Sequence, residues 1–228
     1  MKKILSLICA FLLLSVQAQG AFWIVVEQKA ASSSVTLAYE SYADAADTSV
    51  AALPTGVTDG DMLVMCLSGD EAESSWTHPA GWVEIPVGGE ISSSATTTTF
   101  WKVADSESGT QDFTNPNGRG IMVRFSKSGG AWSTPTSRSA NGGGLPITSI
   151  ATGNMTVASG DIVAVCWGTG DNAAVSDSDS MTEISNITTG SLYGYAFYQT
   201  GLSGTVSKTI TSVSSNEIGI VGLVLHAE

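Results

Sequence analysis

The sequence predicts an all-β protein, an antiparallel two-sheet β-sandwich assembled from two pseudo-repeats. Three observations predict it. First, Val57-Thr-Asp-Gly-Asp-Met-Leu-Val-Met-Cys66 returns as Val157-Ala-Ser-Gly-Asp-Ile-Val-Ala-Val-Cys166, at an offset of 100 residues (166 − 66). Each copy delivers a turn into a strand too apolar to face water. Second, hydrophobic residues make up 43% and charged ones 13%, with 25 glycines. The Ala, Leu, Glu, Lys and Arg mixture that long helices favour is missing, and short strands joined by Gly, Ser, Asn and Asp turns fit better. Third, each half reads as about five strands, a sheet with one apolar face to cover, and the matching sheet is its natural cover. A length of 228 residues suits one such domain.

In chain order, the N-terminus reads as an apolar helix of secretory signal type. Lys2-Lys3 supply the positive region, Ile4 to Val16 the apolar core and Val16-Gln17-Ala18 a small-residue cleavage site. The apolar stretch is shorter than the ~20 residues of a spanning helix. The expected organisation is a signal-like segment at 1–18, a connector at 19–34 and one sandwich at 35–228, with half-repeats near 35–127 and 147–228.

Val35 to Tyr39 alternates as an opening strand, and Asp44 to Asp47 reads as a loop. Pro54-Thr-Gly56 and Asp59-Gly60 are turn chemistry. Met62 to Leu67 is a strand buried on both faces. Gly69 to Ser75 is an acidic loop, His78-Pro-Ala-Gly-Trp82 a second turn, and Trp82 to Val87 a short strand. Thr96 to Val103 is β-branched and aromatic, with Thr97, Thr99, Trp101 and Val103 on one side. Thr110 to Thr114 runs back, and Gly120 to Ser126 turns Ile121, Val123 and Phe125 one way and Met122 and Arg124 the other. Ser128 to Pro146, rich in Gly, Ser and Asn, reads as a link that few contacts cross.

The second half follows the same order. Ile162 to Trp167 is its buried strand and Gly168 to Ser180 its acidic loop. Met181 to Ile187 follows, where Glu183-Ile184 echoes Glu84-Ile85. Leu192 to Gln199 sets Tyr193, Tyr195 and Phe197 on one face, and Ile218 to Leu225 closes the chain.

Charge excludes one function class. The formal net charge is −12, which repels phosphate backbones, so no nucleic-acid partner is expected. The basic residues beyond the N-terminal segment (Lys29, Lys102, Arg119, Arg124, Lys127, Arg138, Lys208) form no stripe.

Catalytic chemistry finds little support. His78 and His226 are the two histidines, read as an exposed turn residue and a tail residue. A Ser-His-Asp triad needs one of them held by an acid, and no Gly-x-Ser-x-Gly elbow is present. Gly142-Gly-Gly144 is part of the link and no phosphate loop. Glu84 and Glu183 are repeat equivalents that duplication explains better than glycoside hydrolysis. The expectation is a protein that is not an enzyme and carries no cofactor.

Three binding features remain. The acidic-loop residues Asp70, Glu71 and Glu73, with Asp177 and Asp179, are candidate Ca²⁺ ligands if they converge, against solvated loop charge as the default. Asp61 and Asp161, in the Gly-Asp turns, are expected to bond local backbone amides. Trp76 and Trp132 lie in polar loops and are candidates for a sugar-stacking platform. Cys66 and Cys166 end equivalent buried strands. If the sandwich brings them together, an oxidising compartment joins them, and two buried free thiols are the equally open alternative.

The segments Gly56-Val-Thr-Asp-Gly-Asp-Met-Leu-Val, His78-Pro-Ala-Gly-Trp-Val-Glu-Ile, Phe100-Trp-Lys-Val-Ala-Asp-Ser-Glu-Ser-Gly and Ile121-Met-Val-Arg-Phe-Ser resemble a family of tailed-phage virion structural proteins with prophage homologues. The resemblance covers about residues 35–226, its second half more weakly. It implies a jelly-roll-like sandwich acting as a tail-fibre, minor tail or head-decoration protein. The implied partners are other virion proteins, in a homo-oligomer, and the implied location is the virion. It brings no catalytic residues. The signal-like N-terminus departs from this pattern and motivates the alternative of an exported, lectin-like module that holds host-surface glycans, located outside the cell or in the periplasm.

Overall fold

The computed structural model describes residues 35–228 apart from 47, 70–76, 86–95, 114–117, 143–145, 170–173, 190–191 and 217. The signal-like segment and the connector lie outside the described residues. Residues Val35–Glu228 form one compact unit.

Among the described residues the chain is all-β, with a single 3-10 turn at Thr48–Val50. The strands of the first half are β1 Leu37–Ala45, β2 Ala51–Ala52, β3 Met62–Gly69, β4 Val83–Ile85, β5 Thr96–Val103, β6 Thr110–Gln111 and β7 Arg119–Lys127. Those of the second are β8 Thr136–Asn141, β9 Ile147–Ala151, β10 Met155–Val157, β11 Ile162–Thr169, β12 Val175–Asp177, β13 Thr182–Thr189, β14 Leu192–Gln199, β15 Gly204–Val206, β16 Thr209–Asn216 and β17 Ile218–Leu225.

The duplication in sequence is a duplication in topology. One five-stranded sheet has the order β1-β7-β3-β5-β4, and the other, read from its matching edge, has the order β8-β17-β11-β14-β13. All the pairings are antiparallel. Two small ladders repeat as well: β2 pairs β6 in the first half, and β10 pairs β15 in the second. The repeated apolar runs are the central strands β3 and β11, and every residue in both is buried.

Burial on both faces has a clear source. Met62, Val64 and Cys66 share one apolar layer with Ile162, Ala164 and Cys166 of the other sheet. The alternate residues Leu63, Met65 and Leu67 pack on the opposite face with Phe100, Met122, Phe113 and Trp82. In the second half Val163, Val165 and Trp167 pack outward on Tyr195, Phe197 and Ile210. Ile210 belongs to a further three-stranded sheet, β12-β16-β9, that lies over this face. A strand covered on both sides has no position for a polar residue at period two, which is why these segments read as continuous apolar runs. Each large aliphatic side chain buried there contributes about 1.5–3 kcal/mol.

The structure corrects the strand reading at four places. The stretch from Gly168 to Ser180 is not all loop: Gly168 and Thr169 end β11, and Val175–Asp177 form β12, paired with β16. The opening strand does not stop at Tyr39; β1 runs to Ala45, so Asp44 is a strand residue and its carboxylate accepts a hydrogen bond from Ser185 Oγ at 2.8 Å. The stretch from Ser128 to Pro146 is not an uncrossed link. It contains β8, which pairs with β17 from Thr136↔Val224 to Asn141↔Gly219, and Trp132 bridges to Ala227. β8 is the counterpart of β1, so the second repeat starts earlier than its apolar pattern shows. The expected strand from Thr110 to Thr114 holds only as the two-residue β6.

Candidate functional site

The two Gly-Asp turns are built alike. Gly60 and Gly160 take positive φ of 87° and 100° at the turn corner, a conformation an L side chain rarely adopts. Asp61 then closes its turn by accepting from Thr58 N at 2.8 Å and Thr58 Oγ1 at 2.9 Å. Asp161 accepts from Ala158 N at 2.8 Å. Both carboxylates thus bond local backbone amides, as the sequence suggested, and both residues are buried.

A buried carboxylate needs a countercharge or further donors, and the halves supply different ones. In the first, Arg124 Nε donates to Asp61 Oδ2 at 2.7 Å, and Arg124 Nη1 reaches Thr55 O at 3.2 Å. In the second, His226 Nδ1 lies 2.6 Å from Asp161 Oδ1. A carboxylate only accepts, so Nδ1 carries the proton. His226 is therefore no free tail residue. The pairing Ile162↔Leu225 sets it next to Asp161, a register that no local stretch of the sequence shows.

Beside this pair lies a cleft of about 290 Å³ lined by Ser133, Thr134, Thr156, Asp161, His226 and Glu228, among others. Its rim is a backbone ladder: Ser133 N donates to His226 O, Ala131 N to Glu228 O, and Glu228 N to Ala131 O. The Nε2 of His226 stands 3.8 Å from Glu228 Oε1. An acid does hold a histidine here, yet no hydroxyl in the cleft is bonded to that imidazole among the described residues, so the nucleophile–base contact of a triad is not made.

Cys66 and Cys166 are joined as a disulfide with a Cα–Cα separation of 5.3 Å. It ties the central strand of one sheet to that of the other, in the layer the two sheets share. Close by, Gly168 faces Ser68, and a Cβ at Gly168 would clash with Ser68 Oγ and Thr97 Oγ1. The C-terminal parts of the two central strands thus face each other between the sheets. Asp70, Glu71 and Glu73, which follow Gly69 in the sequence, lie outside the described residues.

The remaining candidates are distributed as follows. Asp179 Oδ2 lies 3.6 Å from Lys208 Nζ and 3.3 Å from Thr209 N, so this carboxylate ties its turn to the start of β16. The side chain of Asp177 and all of Trp76 lie outside the described residues. Among the described residues no three His, Cys, Asp or Glu side chains converge as a metal-ligand set. Trp132 is not an exposed platform. It is half-buried against the shared apolar layer, and its indole Nε1 donates to Gly60 O at 2.7 Å. His78 is the turn residue expected, with Nδ1 3.1 Å from Pro79 O and its ring beside Phe100.

Two tyrosines have pKa values above the usual phenol range. Tyr39 is raised by burial first and then by the neighbouring Tyr42 and Tyr198, and its ring stacks on Tyr198 of the other sheet at 5.0 Å. Tyr195 is raised chiefly by burial, with a backbone hydrogen bond at Val175 opposing and Glu183 and Tyr193 adding to the shift.

No family model matches this chain, and neither a curated protein nor a solved structure shows significant similarity to it.

Proposed function

We propose that this chain is a non-enzymatic structural and interaction protein of a phage particle, a two-sheet, jelly-roll-like β-sandwich that decorates the particle or contacts the host surface. The observation that supports it best is the duplication: two five-stranded sheets of one strand order, stapled through Cys66 and Cys166 on their central strands. Such a build yields a rigid body whose buried polar side chains, Asp61 and Asp161 foremost, are used to hold its own turns. What remains for function is the outer surface. The disulfide suits a protein working in an oxidising setting, which includes virion and cell surfaces. Modules of this kind work as symmetric homo-oligomers with other virion proteins around them. The test is mass spectrometry of purified particles and of culture supernatant. The chain in stoichiometric amount in particles supports the reading, and its absence from particles sinks it.

A second reading is an exported, lectin-like module in the periplasm or outside the cell. The disulfide, combined with the signal-like N-terminus, favours it. The half-buried state of Trp132 removes one of its two candidate stacking residues. A chain beginning at Gln19 in the supernatant, with glycan-array binding, would put this reading first; an array blank with and without Ca²⁺ would remove it.

A further inference from the structure

We propose that His226 and Glu228 form a binding site for one divalent transition-metal ion of the Zn²⁺ class, with Asp161 as the residue that positions the imidazole. This goes beyond the structural role above and does not depend on it.

The proposal starts from what holding a turn requires. Asp161 needs one partner for its second oxygen, and His226 Nδ1 meets that need at 2.6 Å. In the first half the partner is Arg124, which donates to the same Oδ2 of Asp61 that takes the Thr58 bonds, and a guanidinium has donors only and cannot ligate a metal. The second half uses instead a ring with a second nitrogen. The Asp161 bond fixes the proton on Nδ1, which leaves the Nε2 lone pair of the neutral imidazole directed away from the turn. A carboxylate behind the ring, fixing tautomer and orientation and raising ligand basicity, is the outer-shell arrangement of metal-binding histidines.

A second ligand stands in place. Glu228 Oε1 is 3.8 Å from Nε2, and its side chain is 81% exposed. A tetrahedral Zn²⁺ with bonds of about 2.0 Å sets its N and O ligands about 3.3 Å apart, so a shift of about half an ångström closes the pair on an ion. The adjoining cleft of about 290 Å³, with the hydroxyls of Ser133, Thr134 and Thr156 in its lining, leaves room for water in the remaining positions. With two protein ligands the site is sparser than a structural centre, which takes four, or a catalytic one, which takes three, and water fills the remaining positions. The formal net charge of −12 raises the local concentration of any cation.

The experiment is a Zn²⁺ titration of the full chain, followed by the imidazole nitrogen resonances. With two histidines in the sequence, the assignment needs only the H78Q variant. Saturation at one equivalent is expected, with Nε2 of His226 shifting to a metal-bound position, Nδ1 still protonated and His78 unchanged. E228Q, at an exposed side chain, should weaken binding at least tenfold without changing the melting temperature, and D161N should weaken it by about 10–100-fold. No shift of His226 at millimolar Zn²⁺ overturns the proposal, as does coordination through Nδ1, or E228Q binding as tightly as wild type.

Discussion

Asp61 and Asp161 occupy the same position in the two halves and cap the same turn, yet Arg124 holds one and His226 the other. The partners reach them from different places. Arg124 comes from within β7, whereas His226 follows the end of β17. The Asp61–Arg124 pair is the more buried, with side-chain exposures of 7% and 16%, while the His226 side chain is 40% exposed.

This difference predicts unequal costs. D61A leaves Arg124 with its charge under cover and unpaired, and should cost about 3–5 kcal/mol. D161A releases a histidine that water can reach, and should cost about 1.5–3 kcal/mol, the range for hydrogen bonds to a charged group. Urea unfolding of both variants checks the order. D161A costing as much as D61A would show that exposure of the partner does not set the penalty.

The disulfide closes a loop of 100 residues between the two central strands. Replacing both cysteines, C66A/C166A, should lower stability by about 2–5 kcal/mol, through a less constrained unfolded chain. The same shift should follow reduction of the wild type. An unchanged urea midpoint would mean that the shared apolar layer alone holds the halves together.

Gly168 allows the two sheets to approach at Ser68 and Thr97. G168A should cost about 1–3 kcal/mol by overpacking. G129A, at a position with nothing within 4 Å of an added Cβ, should be close to neutral. Thermal melts compare the two, and equal melting temperatures would contradict the close approach.

Tyr39 and Tyr195 both have raised pKa values, with burial the first cause. A phenol that ionises less readily folded than unfolded keeps its proton longer in the folded state. The contribution to stability is full below the unfolded pKa near 10 and is lost as pH rises through the higher folded value. Melting temperatures taken from pH 8 to 11.5 should therefore fall at the alkaline end, and Y39F/Y195F should flatten that fall. A wild-type profile that stays level through pH 11 would contradict the shifts.

Much of the fold was legible because burial leaves a mark on composition. β5, β14 and β17 have the bounds expected from the sequence, and β3 and β11 begin where expected. β8 was not legible. Its residues Thr-Ser-Arg-Ser-Ala-Asn carry no apolar alternation, since an edge strand is fixed by backbone pairing to β17 and not by burying its own side chains. Asp61 and Asp161 could be assigned as turn caps because their amide partners lie three residues away. Their side-chain partners Arg124 and His226 could not, because those lie 63 and 65 residues away.

The sequence by itself determined the all-β class, the duplication, the positions of the central strands and the local chemistry of the Gly-Asp turns. These follow from periodicity, glycine at the turn corner and the reach of a short side chain, all properties of a few neighbouring residues. The tertiary structure alone decided that Cys66 meets Cys166, that Trp132 donates to Gly60 rather than facing solvent, and that His226 closes on Asp161 beside a cleft. Each of these depends on which strands lie side by side and on how two sheets face each other. Those relationships are set by the burial of the whole apolar layer, so no local stretch of residues encodes them.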